Sequence, residues 1–138
     1  MIIADTNVVS EFMKDQPHPN AFAWARKVDA ADLGICVVTV EEIERGLGRL
    51  PDGRRRRTLQ ERWRRLLAGF SELIAVYDVA AATATARILV DAETSGRSIS
   101  LADAQIAGIC VSAGLELATR NTSDFAGVRD LAVINPFD

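Results

Sequence analysis

The chain has 138 residues, 49% of them hydrophobic and 25% charged, with a formal net charge of −3. That length suits one domain, residues 1–138, and no apolar run approaches the ~20 residues needed to cross a bilayer, so no membrane role is expected. Met1-Ile2-Ile3-Ala4-Asp5 has neither the basic nor the apolar region of a secretory signal, which makes the cytoplasm the expected compartment.

Ile2-Ile3-Ala4 is a short apolar run ending in an acid, and Val8, Val9, Phe12 and Met13 follow at helical spacing, so Asp5 falls at a strand-to-helix junction. A second helix is predicted from His18 to Ala31, carrying Phe22, Trp24, Ala25 and Val28, and a buried strand from Gly34 to Val38. Thr39-x-x-Glu42 has the pattern of a capping box and opens a helix that Pro51-Asp52-Gly53 closes. The next helix begins near Arg54, with Leu59, Trp63, Leu66, Leu67 and Phe70 on one stripe, wide enough to serve both a core and a partner. Leu73 to Val76 reads as a strand and the alanine-rich stretch from Val79 to Glu93 as a helix.

Ser100-x-x-Asp103 repeats the capping pattern ahead of a nearly all-apolar helix, Leu101 to Ala113, which Gly114 ends. Leu115 to Ala118 is a strand, Asn121 to Phe125 a turn or short helical segment, and Leu131 to Ile134 a last strand stopped by Asn135-Pro136. Strands alternating with helices predict an α/β fold: a central, mostly parallel sheet of about five strands with helices on both faces.

In such sheets, ligands bind at the carboxyl ends of the strands. Asp5, Glu42, Asp103 and Asp124 all fall there. Singly, each has an ordinary role: Asp5 could cap a helix, Glu42 and Asp103 sit third after a capping residue, and Asp124 could be a turn residue. Together, four acids on one edge would repel, and a divalent cation would supply the missing counter-charge. The single histidine, His18, and the separated Cys36 and Cys110 argue against zinc, and the cysteines read as small buried hydrophobes. Carboxylate oxygens suit one or two Mg²⁺ or Mn²⁺ ions, which can activate water for in-line attack on a phosphodiester.

A phospho-acceptor receiver domain would need a lysine near the last strands, and the lysines are Lys14 and Lys27. A haloacid-dehalogenase phosphatase would need Asp-x-Asp where this chain has Asp5-Thr6-Asn7. Between Arg45 and Arg65, nine arginines face Asp52 and Glu61, a surplus of seven positive charges that leaves −10 on the remainder. A cationic surface beside an anionic pocket suits a polyanionic substrate, with Arg54, Arg55, Arg56 and Arg57 as candidate nucleic-acid contacts; a solvated helix face is the alternative.

Four segments, in order, resemble the PIN domains of the VapC and FitB type. Asp5-Thr6-Asn7-Val8-Val9-Ser10-Glu11 is similar to the family's opening, and Thr39 to Gly46 to its Thr-x-x-Glu-Leu-x-x-Gly segment, which selects Glu42 over Glu41. Asp103-Ala104-Gln105-Ile106-Ala107 resembles Asp-x-x-Ile-Ala, and Thr119-Arg120-Asn121-Thr122-Ser123-Asp124-Phe125 resembles the Thr-Arg-Asn-x-x-Asp-Phe ending. The resemblance implies a PIN-like fold and a metal-dependent endoribonuclease, the toxin of a type II toxin–antitoxin pair. Asp5, Glu42, Asp103 and Asp124 would be its catalytic and metal-binding acids, with Thr6, Asn7, Thr119 and Asn121 as auxiliary site residues. Leu50 to Arg57 with Trp63 looks most like the FitB branch, for which a homodimer and a DNA-binding, VapB- or FitA-like antitoxin are implied. A non-catalytic PIN-fold partner, acting with the antitoxin in operon regulation, is the alternative.

Overall fold

The computed structural model describes residues 1–70 and 73–138. Its sheet is parallel throughout and contains β1 (Ile2–Ala4), β2 (Leu33–Cys36), β3 (Ile74–Ala75), β4 (Glu116–Ala118) and β5 (Val133–Ile134), in the spatial order β3-β2-β1-β4-β5. The helices are α1 (Thr6–Phe12), α2 (Pro19–Lys27), α3 (Val37–Gly48), α4 (Arg54–Gly69), α5 (Val79–Thr94) and α6 (Leu101–Ala113). From the central β1 the chain builds one side of the sheet through β2 and β3, then crosses to build the other through β4 and β5. The strand order therefore reverses between β1 and β4, where a doubly wound sheet opens its ligand crevice.

Side chains alternate across each strand, so neighbouring residues feed different cores. Ile3, Cys36 and Leu117 pack with Ala81, Ile88, Ile106, Ile109 and Phe125 under α5 and α6. Ala4 and Ile35 pack on the opposite face with Val8, Val9, Ala21, Ile43, Leu47 and Trp63, from α1 to α4. The expected helices on both faces follow from this split. Gly108 lets α5 and α6 approach closely, because a Cβ there would lie 2.1 Å from the Thr85 hydroxyl.

Several boundaries differ from the sequence reading. The second helix was expected to run to Ala31 but ends at Lys27. Val28 is extended, and the Asp29 carboxylate accepts from the Ala31 amide to start a separate 3-10 turn over Ala30–Asp32. Phe22, expected on its apolar face, is 50% exposed, whereas Ala21 is buried. The second strand stops at Cys36 and α3 begins at Val37, three residues earlier than the Thr39 capping pattern implies. The α4 stripe is directed inward: Trp63 is buried, donating through Nε1 to Glu44 Oε1 at 2.9 Å, and Leu59, Leu66, Leu67 and Phe70 pack against the second core. Leu59, Leu66, Leu67 and Phe70 are only partly buried there, so part of the stripe stays exposed. Among the described residues, no helix is long and apolar enough to cross a membrane.

Candidate metal centre

Asp5 leaves β1 as the N-cap of α1, and Thr119 follows the neighbouring β4, whose Ala118 is in register with Ala4. The switch point thus brings together residues 114 positions apart. Asp5 is 4% exposed. Its Oδ1 accepts from the Thr6 amide at 2.8 Å, and its Oδ2 from Thr119 Oγ1 at 2.7 Å and Asn7 Nδ2 at 3.0 Å. The Asn7 amide oxygen accepts from the Arg120 backbone N–H, and Thr119 Oγ1 accepts from the Asn121 backbone N–H, which ties the loop after β4 to α1. Such donors stabilise the carboxylate, yet burial outweighs them and pushes the Asp5 pKa above its ordinary value, with the charge of Asp124 adding to the rise.

Glu42 lies in the second turn of α3 and is not a capping residue, because the helix starts at Val37 and its N-cap, Cys36, provides no side-chain cap. Glu42 Oε1 accepts from Thr6 Oγ1 at 2.7 Å, linking α3 to the residue after Asp5. Asp103 does occupy the capping position expected of it. Ser100 is the N-cap of α6 and its Oγ accepts from the Asp103 amide at 3.1 Å. The Asp103 carboxyl is half-buried, and its pKa is raised by desolvation first, then by the charge of Asp5, with Asp124 and Glu42 adding to the rise. One carboxylate therefore feels the other three. Asp124 is exposed, on the 3-10 turn Thr122–Phe125 that Phe125 anchors in the core.

The four acids thus share the carboxyl edge of the sheet and act on one another electrostatically. Among the described residues, no three His, Cys, Asp or Glu side chains converge closely enough to hold an ion as they stand. The donor set is all hard oxygen, which suits a hard divalent cation. Of the auxiliary residues, Thr6, Asn7 and Thr119 bond directly to the acids, whereas Asn121 contributes its backbone N–H to Thr119.

A groove of about 930 Å³ runs from Thr6 and Glu42 between α1, α3 and α4, over an apolar floor that includes Ile43, Leu47 and Leu59, to Arg54, Arg55 and Arg62. Arg57 lines a shallower neighbouring groove, and Arg56 is half-buried and lines neither. No ion pair joins Arg54, Arg55, Arg56 or Arg57 to another described residue. Arg62 instead donates through Nη1 to the Met13 carbonyl and pairs with Asp15, pinning α4 to the loop after α1.

Two buried polar residues carried no site role in the sequence reading. Thr39, expected as a helix cap, is fully buried with its hydroxyl 3.1 Å from that of Thr6; a lone polar residue inside the apolar run Ile35 to Val40 was the available signal. Glu11 is 5% exposed, accepting from the His18 amide and pairing with Lys14. Burial pushes its pKa up, but the bonds from Lys14 and His18 prevail and the net shift is downward.

The sequence profile of the PIN domain matches residues 2–131. The chain is 35% identical over 139 residues to VapC ribonuclease Y4jK of Sinorhizobium fredii, covering 100% of this chain and 99% of that protein. It is also 35% identical over 138 residues to Toxin FitB of Neisseria gonorrhoeae, covering 99% of each. A solved structure of FitAB bound to an IR36 DNA fragment superposes with a TM-score of 0.92 at 34% identity, covering 100% of this chain and 96% of that one.

Proposed function

The chain belongs to the PIN-domain family, and from that premise we propose that residues 1–138 form a metal-dependent endoribonuclease, the toxin of a type II toxin–antitoxin pair. The observation that carries the proposal is the carboxylate edge: Asp103 feels Asp5, Glu42 and Asp124, and burial raises the pKa of both Asp5 and Asp103. Purely structural acids gain nothing from such crowding, whereas a cation site needs it. The names of its relatives, a VapC ribonuclease and a FitB toxin, support the same activity.

Asp5, Glu42, Asp103 and Asp124 would hold Mg²⁺ or Mn²⁺, as one or two ions. A bound ion would lower the pKa of its water and offset charge on the phosphodiester. The protein's own part is preorganisation. Thr119, Asn7 and the Thr6 amide fix both oxygens of Asp5, and the Thr6 hydroxyl fixes Glu42, so the ligands are oriented by the fold. Arg54 and Arg55, in no ion pair with another described residue and on the groove that reaches Glu42, would hold RNA phosphates at its far end, with Arg57 extending that surface and Arg56 turned partly inward.

A DNA-binding antitoxin of the VapB or FitA kind is the proposed partner, supported by the FitAB complex on DNA. The same complex keeps the operon-regulating reading in view as a second role. A homodimer is proposed as well, and the cytoplasm is the proposed compartment. The test uses purified chain stripped of metal, incubated with single-stranded RNA. Cleavage should appear on adding Mn²⁺ and vanish in Asp5→Asn; equal cleavage by both proteins would contradict the assignment.

A further inference from the structure

The Thr6 hydroxyl faces two oxygens, Glu42 Oε1 at 2.7 Å and Thr39 Oγ1 at 3.1 Å. A hydroxyl has one proton to donate, and an ionised carboxylate only accepts. The single Thr6 proton goes to Glu42 Oε1, the closer acceptor, which leaves Thr6 only lone pairs toward Thr39. Thr39 is 0% exposed and cannot use water. A buried hydroxyl left unbonded costs about 1–3 kcal/mol. For the Thr39 proton, the Thr6 lone pairs at 3.1 Å are a better acceptor than the Cys36 sulfur at 3.8 Å, so Thr39 donates to Thr6. Its own acceptor side faces Cys36 Sγ at 3.8 Å, a thiol that burial keeps protonated and able to donate weakly.

We propose that Thr39 is a positioning residue for Glu42, acting through a one-way relay in which Thr39 donates to Thr6 and Thr6 donates to the Glu42 carboxylate. The relay crosses from α3 to α1 and back to α3, so it also sets the spacing between the helix that carries Glu42 and the residue that follows Asp5. Helix geometry makes it possible: Thr39 and Glu42 are three residues apart on α3 and so share a face, while Thr6 opens α1 opposite them. Thr39 gains nothing as a helix former, since β-branched residues are disfavoured there and Cys36 already occupies the cap position.

This inference rests on the metal-centre reading, and its test separates the two. Mn²⁺ affinity is measured from the free-ion electron paramagnetic resonance signal for wild type, Thr39→Val, Thr39→Ser, Glu42→Gln and the Thr39→Val/Glu42→Gln double variant, with thermal melting alongside. Thr39→Val should weaken Mn²⁺ binding about three- to tenfold, less than the ten- to hundredfold typical of a partner bonded directly to a ligand. Thr39→Ser should restore affinity. In the Glu42→Gln background Thr39→Val should have no further effect, because its target is gone. A merely structural Thr39 would instead lower the melting temperature with affinity unchanged, or lower affinity equally in both backgrounds, and either result overturns the relay. No Mn²⁺ binding by the wild type would overturn the metal reading and the relay together.

Discussion

Asp103→Asn separates a helix-capping acid from a metal ligand. The variant keeps the Asp103 amide bonded to Ser100 Oγ, so the cap itself survives. What changes is charge. Losing a carboxylate in the first turn of α6 forfeits about 0.3–1 kcal/mol of interaction with the helix dipole. Against this, repulsion from Asp5, Asp124 and Glu42 disappears, as does the cost of desolvating the Asp103 charge. Those contributions oppose the loss, so the metal-free variant should melt within about 4 °C of wild type or above it at pH 7. The pH dependence has a defined sign. The folded chain holds the Asp103 proton more tightly than the unfolded chain, so this group's contribution to stability is lost as pH rises from about 4 through its raised folded value. In Asp103→Asn that decline should flatten. Mn²⁺-dependent cleavage of single-stranded RNA should meanwhile fall about a hundredfold or more. Melting curves at several pH values, run beside a cleavage assay, give both readings. A destabilised but fully active variant would refute the reasoning.

Thr119→Val keeps shape but removes the 2.7 Å donor to Asp5 and the acceptor for the Asn121 amide; it should cost about 1–3 kcal/mol in denaturant unfolding and about ten- to hundredfold in metal affinity. Replacing Arg54 and Arg55 together by alanine should weaken RNA binding across sequences and flatten the logarithmic salt dependence by about 1 to 2 units, while melting stays unchanged because neither pairs with a described residue. Gly108→Ala would set a methyl 2.1 Å from Thr85 Oγ1 and 2.8 Å from the Ala81 carbonyl, and calorimetry should show about 1–3 kcal/mol lost.

The first two strands were legible because they are continuous apolar runs with an acid or a helix start directly behind them, as in Ile2-Ile3-Ala4-Asp5. Parallel pairing then places the carboxyl ends of β1 and β4 on one edge, which is why Asp5 and Asp124 could be grouped before any contact was known; Asp103 joins them because α6 leads back into β4. Local competition was harder to read. Asp29 starts its own 3-10 turn and cuts α2 short, though apolar spacing alone favoured a longer helix. The Thr39-x-x-Glu42 pattern mimicked a capping box, yet α3 begins at Val37 and turns Thr39 inward. The groove from Glu42 to Arg55 could not be read at all, because its walls come from α1, α3 and α4 and depend on where α4 rests. Arg62 helps fix that position through contacts 47 and 49 residues away, beyond any local pattern.

A crystal of the protein soaked in Mn²⁺ and measured at the manganese absorption edge tests the central claim most directly. An anomalous peak is expected at the carboxyl edge between β1 and β4, bounded by oxygens of Asp5 and Asp103 and absent from Asp5→Asn crystals. No peak there, or the same peak in the variant, would contradict it.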